Sequence, residues 1–165
     1  MKPSIGDLYH LHSRAEFYVH HTDIYKASSI EDAVEKLFAK QKLENLNYAL
    51  PLMDPEKIKN KSQKKKKELR KTWKGHVREI NHLWVVHMMD QDKGLIEKMT
   101  LFWHGHFACR TVDNPYKTLE MNTLLRENAL GNFRDLLYAV SKSHSMVTYL
   151  HLRENRKGHP NEDFA

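Results

Sequence analysis

Apolar residues recur at helical spacing through most of this chain of 165 residues. The clearest short series is Ile30, Ala33, Val34, Leu37 and Phe38, which follows i, i+3, i+4, i+7 and i+8. Ser28 and Glu31 stand at its start with the Ser-x-x-Glu spacing of a capping box. This pattern predicts an amphipathic helix of about 12 residues with one apolar face.

The longest apolar series runs from Leu69 to Met88 and covers about five helical turns. Four shorter series follow it, over 95–106, 118–126, 133–140 and 145–150. No stretch alternates convincingly between apolar and polar residues, and six Gly and five Pro are few for a turn-dense β fold. We therefore predict an all-α fold, an irregular multi-helix domain of about six or seven helices over residues 1–165.

Composition excludes several classes of protein. Cys109 is the single cysteine, so the chain is not a disulfide scaffold. Mean hydropathy is −0.72 and no apolar run is long enough to span a bilayer. The N-terminus has no apolar run of the kind found in secretory leaders, which predicts a cytoplasmic location. No P-loop, dinucleotide fingerprint or Gly-x-Ser-x-Gly elbow is present.

The net charge of +6 comes from one segment. Residues 57–74 hold ten Lys and Arg and one acid, whereas the rest of the chain is slightly acidic. Such a run can bind nucleic acid or an acidic partner by neutralising negative charge, or it can be a solvated segment between helices. Its one aromatic residue, Trp73, keeps the spacing of the apolar series. We expect 57–68 to be an exposed basic segment.

His104 and His106 form a His-x-His pair that can hold a metal ion under one condition. Residues two apart on a helix point about 200° away from each other, so shared ligation requires the helix to end at Gly105. The alternative is that His106 belongs to the apolar face and His104 meets a polar neighbour such as Glu97.

Polar residues concentrate in the last third of the chain, where they suggest either an anion-binding wall or simple helix caps. Asn122 and Arg126 are four apart and share a helix face. The others lie at the start of the next helix and in the tail, namely Asn132, Arg134, Asp135, Asn155, Arg156, Lys157, Asn161 and Glu162.

Three stretches of the chain are distinctive, namely EKMTLFWHGHFA, NTLLRENALGNFRDLLYAVSKSHSMVTYL and NRKGHPNEDFA. They resemble the signatures of a large bacterial family, domain of unknown function 1800. The resemblance implies a predominantly helical protein, with many members exported. It also implies that a typical member continues beyond Asn161-Glu162-Asp163-Phe164-Ala165, so this chain looks like the N-terminal part of a larger protein. By motif match, Arg14, His104 and His106 join the polar residues above as candidate site residues.

The chain departs from the family pattern at three places. A usual Arg-Ala-Gly-Phe-Gly reads Arg14-Ala15-Glu16-Phe17-Tyr18, a usual His-Asn-His-Phe reads His104-Gly105-His106-Phe107, and a usual Tyr-Leu-Asp/Asn-Asn reads Tyr149-Leu150-His151-Leu152. Glycine and asparagine positions of the family pattern are thus replaced in the segments that carry the resemblance.

Two functional hypotheses follow. In the first, the chain is part of an envelope-associated enzyme of unknown reaction with a polar His/Asn/Arg/Glu site. In the second, it is a non-catalytic helical module whose basic segment binds an acidic partner or nucleic acid. A cavity shared by His104, Arg126, Arg134 and Glu162 would favour the first. We also expect residues 119–150 to carry an apolar face that self-associates or packs against the continuation of the protein.

Overall fold

The computed structural model describes residues 3–52, 58, 60–111 and 114–161. Most of its helices have a side chain that caps their first turn. Ser4 accepts a hydrogen bond from the Asp7 amide, and the Asp7 carboxylate accepts one from the Ser4 amide, which completes a capping box. Asn114 and Asn132 cap two later helices through their side-chain oxygens. These contacts satisfy amides that have no partner inside a helix.

The described residues form eight α-helices and no strand. The helices are α1 (Ile5–Ala15), α2 (His21–Lys26), α3 (Ile30–Ala39), α4 (Gln63–Met88), α5 (Gly94–His106), α6 (Pro115–Glu127), α7 (Phe133–Lys142) and α8 (His144–Tyr149). Two 3-10 turns lie at Gln91–Lys93 and Leu152–Glu154. The all-α prediction is confirmed, with eight helices where about six or seven were expected.

The cap of α3 lies one residue later than the sequence pattern predicts. Ser29 is the N-cap and accepts from the Asp32 amide, whereas Ser28 donates its amide and hydroxyl to the Asp32 carboxylate. Two adjacent serines can each cap this helix start, so the sequence alone did not place it.

Helix α6 lies at the centre of the C-terminal half and packs against α4, α5, α7 and α8. Its Met121 and Leu125 form a core with Leu136 and Val140 of α7 and Met146 of α8. A second core joins α1, α2 and α3 around Leu8, Ile24 and Ala33. A third core packs Leu46 against Ile80 and Trp84 of α4.

The apolar face expected within 119–150 is partly buried and partly exposed. Leu125 is fully buried, whereas Phe133, Leu137 and Tyr138 of α7 are 51%, 46% and 64% exposed. Among the described residues of this region, the exposed large apolar side chains are these three on α7 and Tyr149 at the end of α8. Among the described residues, no helix is long and apolar enough to cross a membrane.

Candidate functional site

A buried ion pair joins α5 to α6. The Glu97 and Arg126 side chains are both fully screened from solvent. Arg126 Nε donates to Glu97 Oε1 at 2.7 Å, and Nη2 donates to Oε2 at 3.1 Å. This two-point contact satisfies both carboxylate oxygens and fixes the angle between the planar groups.

Two neighbours extend the ion pair into a network. Trp84 Nε1 of α4 donates to Glu97 Oε2 at 2.7 Å, and Arg126 Nη1 donates to Asn122 Oδ1 at 2.6 Å. Asn122 and Arg126 do share a helix face, as their spacing predicts. The partner of Arg126 on another helix is Glu97, which lies 29 residues earlier in the chain. The network therefore ties three helices together.

Two buried polar atoms beside this network have no hydrogen-bond partner among the described residues, namely His87 Nδ1 and Asn122 Nδ2. His87 Nδ1 lies 3.7 Å from Glu97 Oε1, too far for a hydrogen bond. Burial lowers the pKa of His87, and the nearby cations Lys93 and Arg126 lower it further, against the opposing influence of Glu97. The ring is therefore held in its neutral form.

The depressed pKa of His87 predicts a pH dependence of stability. As the pH falls below the ordinary value of 6.5, the unfolded chain takes up a proton that folded His87 resists, so the free energy of unfolding falls. We expect His87→Gln to reduce the stability loss between about pH 7 and pH 5. Denaturant unfolding across this range measures the change in the free energy of unfolding with pH, and His82→Gln, on the exposed side of α4, is the control. Equal pH profiles for wild type and His87→Gln would contradict the prediction.

The two histidines of the His-x-His pair lie on one continuous helix, because α5 runs through Gly105 to His106. The His104 ring packs edge-on against Trp84 at 5.2 Å, and desolvation there lowers its pKa. The His106 ring stacks on Phe102 at 6.2 Å and meets Phe107 at 4.8 Å. The structure does not bring the two rings together, since a helix points them in opposite directions.

The candidate residues at the start of α7 are exposed and lie apart from the buried network. Asn132 accepts a hydrogen bond from the Arg134 amide and serves as the helix cap. Arg134 and Asp135 are exposed on the first turn. Their placement fits the capping alternative that the sequence left open.

The tail residues form a local turn. Arg156 and His159 exchange backbone hydrogen bonds, and Gly158 supplies the left-handed backbone with φ of 89°. The Asn161 side chain donates to the Leu150 carbonyl at 2.8 Å, and its amide donates to Asn155 Oδ1 at 3.3 Å. These bonds tie the tail to the end of α8. Lys157 is exposed, and Glu162 lies outside the described residues.

A second charged cluster, which the sequence analysis did not single out, lies between α1, α2 and α3. His12, Glu16 and Asp23 place one ligand atom each within 4.8 Å of one another, as a metal site would. Lys40 already supplies a cation there, because its Nζ lies 2.5 Å from Glu16 Oε1 and 2.9 Å from Asp23 Oδ2. Burial opposes the charge of Lys40, but these two carboxylates raise its pKa, so the ammonium stays charged.

A signal for the second cluster was present in the sequence only as His12 and Glu16 at i, i+4. Glu16 stands where the family pattern has a glycine, and its side chain is 4% exposed. Gly94 at the start of α5 packs against it closely, since an added Cβ would lie 3.1 Å from Glu16 Cβ. The cluster therefore belongs to the packing of the N-terminal helices.

The basic segment lies mainly on the first half of α4. This helix begins at Gln63, so Lys64 to Lys67 all lie in its first turns. Lys57 and Lys59 lie outside the described residues, and 60–68 is exposed or half-buried. None of the ion pairs between described residues includes Lys64, Lys65, Lys66, Lys67, Arg70, Lys71 or Lys74.

Comparison with protein families gives one result that covers nearly the whole chain. The model of the family described as "Protein of unknown function (DUF1800)" matches residues 10–165. Comparisons with curated proteins and with solved structures find no match. The matched range includes the buried network, both histidines of α5 and the tail. The chain therefore belongs to the family of proteins of unknown function 1800, as its sequence motifs predicted.

Proposed function

We propose that this chain is a non-catalytic helical interaction module that binds the phosphate backbone of nucleic acid through the first half of α4. The observation that carries the proposal is the uncompensated charge there, since six of its seven Lys and Arg side chains are exposed and none has an acidic partner among the described residues. Cations that no acid neutralises are available to replace the counterions of a polyanion.

The charges on α4 are arranged as a stripe. Lys67, Arg70, Lys71 and Lys74 follow i, i+3, i+4 and i+7, which places them on one face of the helix. Lys64 extends the stripe by one turn. The stripe is about 15 Å long at 1.5 Å per residue, which is enough to contact several phosphates of a duplex.

The positive charges near the start of α4 also destabilise this end of the helix. The first turn of α4 contains no acidic residue and several lysines. Positive charge near a helix N-terminus is unfavourable, by about 0.3–1 kcal/mol per residue at low ionic strength. A bound phosphate backbone would offset this repulsion, so binding and helix stability favour each other.

The aromatic residue of the segment supports recognition of the backbone and not of unpaired bases. The Trp73 ring packs edge-on against Tyr116 of α6 at 6.1 Å and is half-buried. A ring held in this way lacks the two free faces that base stacking uses in single-strand binders. We therefore propose duplex nucleic acid as the ligand.

The distribution of the other candidate residues also supports a binding role. Asn122 and Arg126 are buried in the network. Among the described residues, the cavities of about 830, 550 and 170 Å³ are not lined by His104, Arg126 or Arg134. The alternative of an envelope-associated enzyme needs these residues in one accessible site. The observed separation favours the interaction module.

Binding of a fluorescent DNA duplex at increasing salt tests the proposal. With about five phosphates contacted, log K should fall against log salt with a slope of roughly −4 to −5. Lys67→Gln with Lys71→Gln should reduce the slope by about 2, because two phosphate contacts are lost. The matched control is Lys142→Gln with Lys157→Gln, which removes two exposed lysines outside α4.

Three outcomes would contradict the proposal. They are an affinity that does not depend on salt, an equal loss in the control pair, and no loss in the Lys67/Lys71 pair. An acidic peptide that binds more tightly than duplex DNA at the same ionic strength would replace nucleic acid by a protein partner.

A further inference from the structure

A cavity of about 550 Å³ lies beside the basic stripe, between α4, the segment after α5, the start of α6 and the end of α8. Its lining includes Arg70, Trp73, Arg110, Lys117, Thr148 and His151. No Asp or Glu is among the described residues that line it. The cavity thus gathers three cations, Arg70, Arg110 and Lys117, from three segments that are distant in sequence.

The three cations of this cavity have no ion-pair partner among the described residues. Arg70, Arg110 and Lys117 take part in none of the ion pairs between described residues. Lys117 Nζ donates one hydrogen bond to Thr148 Oγ1 at 2.7 Å, and an ammonium has two further protons to donate. Like charges around one cavity repel each other, and a bound anion offsets this repulsion by attracting all of them.

The backbone around the cavity adds charge of the same sign. Helix α6 begins there with the positive end of its dipole, and among the described residues its first turn contains no acidic side chain. Asn114 accepts from the Tyr116 and Lys117 amides and thereby holds this helix start in place.

His151 lines the cavity in a strained conformation. Among the described residues it is the one non-glycine residue with positive φ, at 51°. Its Nδ1 lies 3.5 Å from Glu154 Oε1, and the positive charge of the cavity comes from the two arginines and Lys117. Left-handed backbone at a residue other than glycine costs free energy, and here it directly follows the C-cap of α8, where helices commonly adopt it.

We propose that this cavity binds the phosphate group of a phosphate monoester. Two guanidinium groups and an ammonium match the charge and the several acceptor oxygens of a phosphate dianion. Tyr149, which is 49% exposed, provides aromatic surface in the same cavity for a ring attached to the phosphate. This site goes beyond the proposed function, because Arg110 and Lys117 lie outside the stripe on α4, although Arg70 belongs to both.

Calorimetric titration of the whole chain with inorganic phosphate and with phenyl phosphate tests the site, at constant ionic strength set with chloride. We expect saturable binding with a Kd of about 1 mM or tighter and a higher affinity for phenyl phosphate. Phosphate that binds as tightly as phenyl phosphate would indicate a site for the free ion. No saturable binding of either compound would overturn the proposal.

Arg110→Gln with Lys117→Gln should weaken binding by at least tenfold, roughly, because two charge-assisted contacts are lost. If the loss of the Lys117–Thr148 hydrogen bond impairs folding of the double variant, Arg110→Gln alone tests the site, because Arg110 is exposed. The matched control is Arg134→Gln with Lys142→Gln on α7. Equal affinity of the wild type and the Arg110 variants would show that the cavity is not the site.

The same variants separate this site from the stripe on α4. Lys67→Gln with Lys71→Gln should leave phenyl phosphate binding within about twofold of the wild type, since neither residue lines the cavity. Arg110→Gln should keep the salt slope of duplex binding within about one unit. Loss of phenyl phosphate binding in the Lys67/Lys71 pair would contradict a separate site.

Discussion

Arg126→Met should destabilise the chain by about 3–5 kcal/mol, enough to unfold a marginally stable domain. The change removes the guanidinium that satisfies both oxygens of Glu97, and the carboxylate is fully buried. Trp84 alone would then face a buried negative charge. Denaturant unfolding followed by circular dichroism measures the loss.

A double variant separates the net contribution of the ion pair to the free energy of unfolding from the loss caused by leaving one charge unpaired. Glu97→Leu with Arg126→Met removes both charges and should recover most of the stability that Arg126→Met loses. Arg134→Met, at an exposed position of α7, should change the free energy of unfolding by less than about 0.5 kcal/mol. If Arg126→Met costs less than about 1 kcal/mol, the network contributes little to the fold.

Two adjacent leucines of α7 should respond in opposite ways to the same substitution. Leu136 is 1% exposed and belongs to the core with Leu125 and Val140, whereas Leu137 is 46% exposed. Leu136→Asp buries an unpaired carboxylate and should cost several kcal/mol, about as much as Arg126→Met. Leu137→Asp should leave the free energy of unfolding within about 1 kcal/mol of the wild-type value. Thermal unfolding of the two variants provides the comparison.

Leu137→Asp also tests the self-association predicted from residues 119–150. The exposed side chains of Phe133, Leu137 and Tyr138 form the apolar face of α7 that a second copy of the chain would cover. We expect the wild type to associate at micromolar concentrations and Leu137→Asp to shift it toward the monomer. Sedimentation velocity measures both. A wild-type monomer across that range would rule out association through this face.

Much of the local structure could be predicted from the sequence, because it depends on contacts between near neighbours. Apolar spacing located the long helix α4, which ends at Met88, just before the break that Asp90 to Gly94 predict. Asn132 was predicted as a cap and is one. Helix geometry alone also indicated that His104 and His106 point apart once the helix continues past Gly105. The family, too, was identified from motifs that are continuous in sequence.

The tertiary structure decided which charged residues meet. Asn122 and Arg126 were identified by their spacing, but only the packing of α5 against α6 shows that Glu97 pairs with Arg126. Lys40 meets Asp23 across 17 residues, and the cavity beside α4 joins Arg70 to Arg110 and His151. The physical reason is the range of the interactions. Helix spacing and caps act within about four residues, whereas burial of a charge depends on helices that pack together from distant parts of the chain.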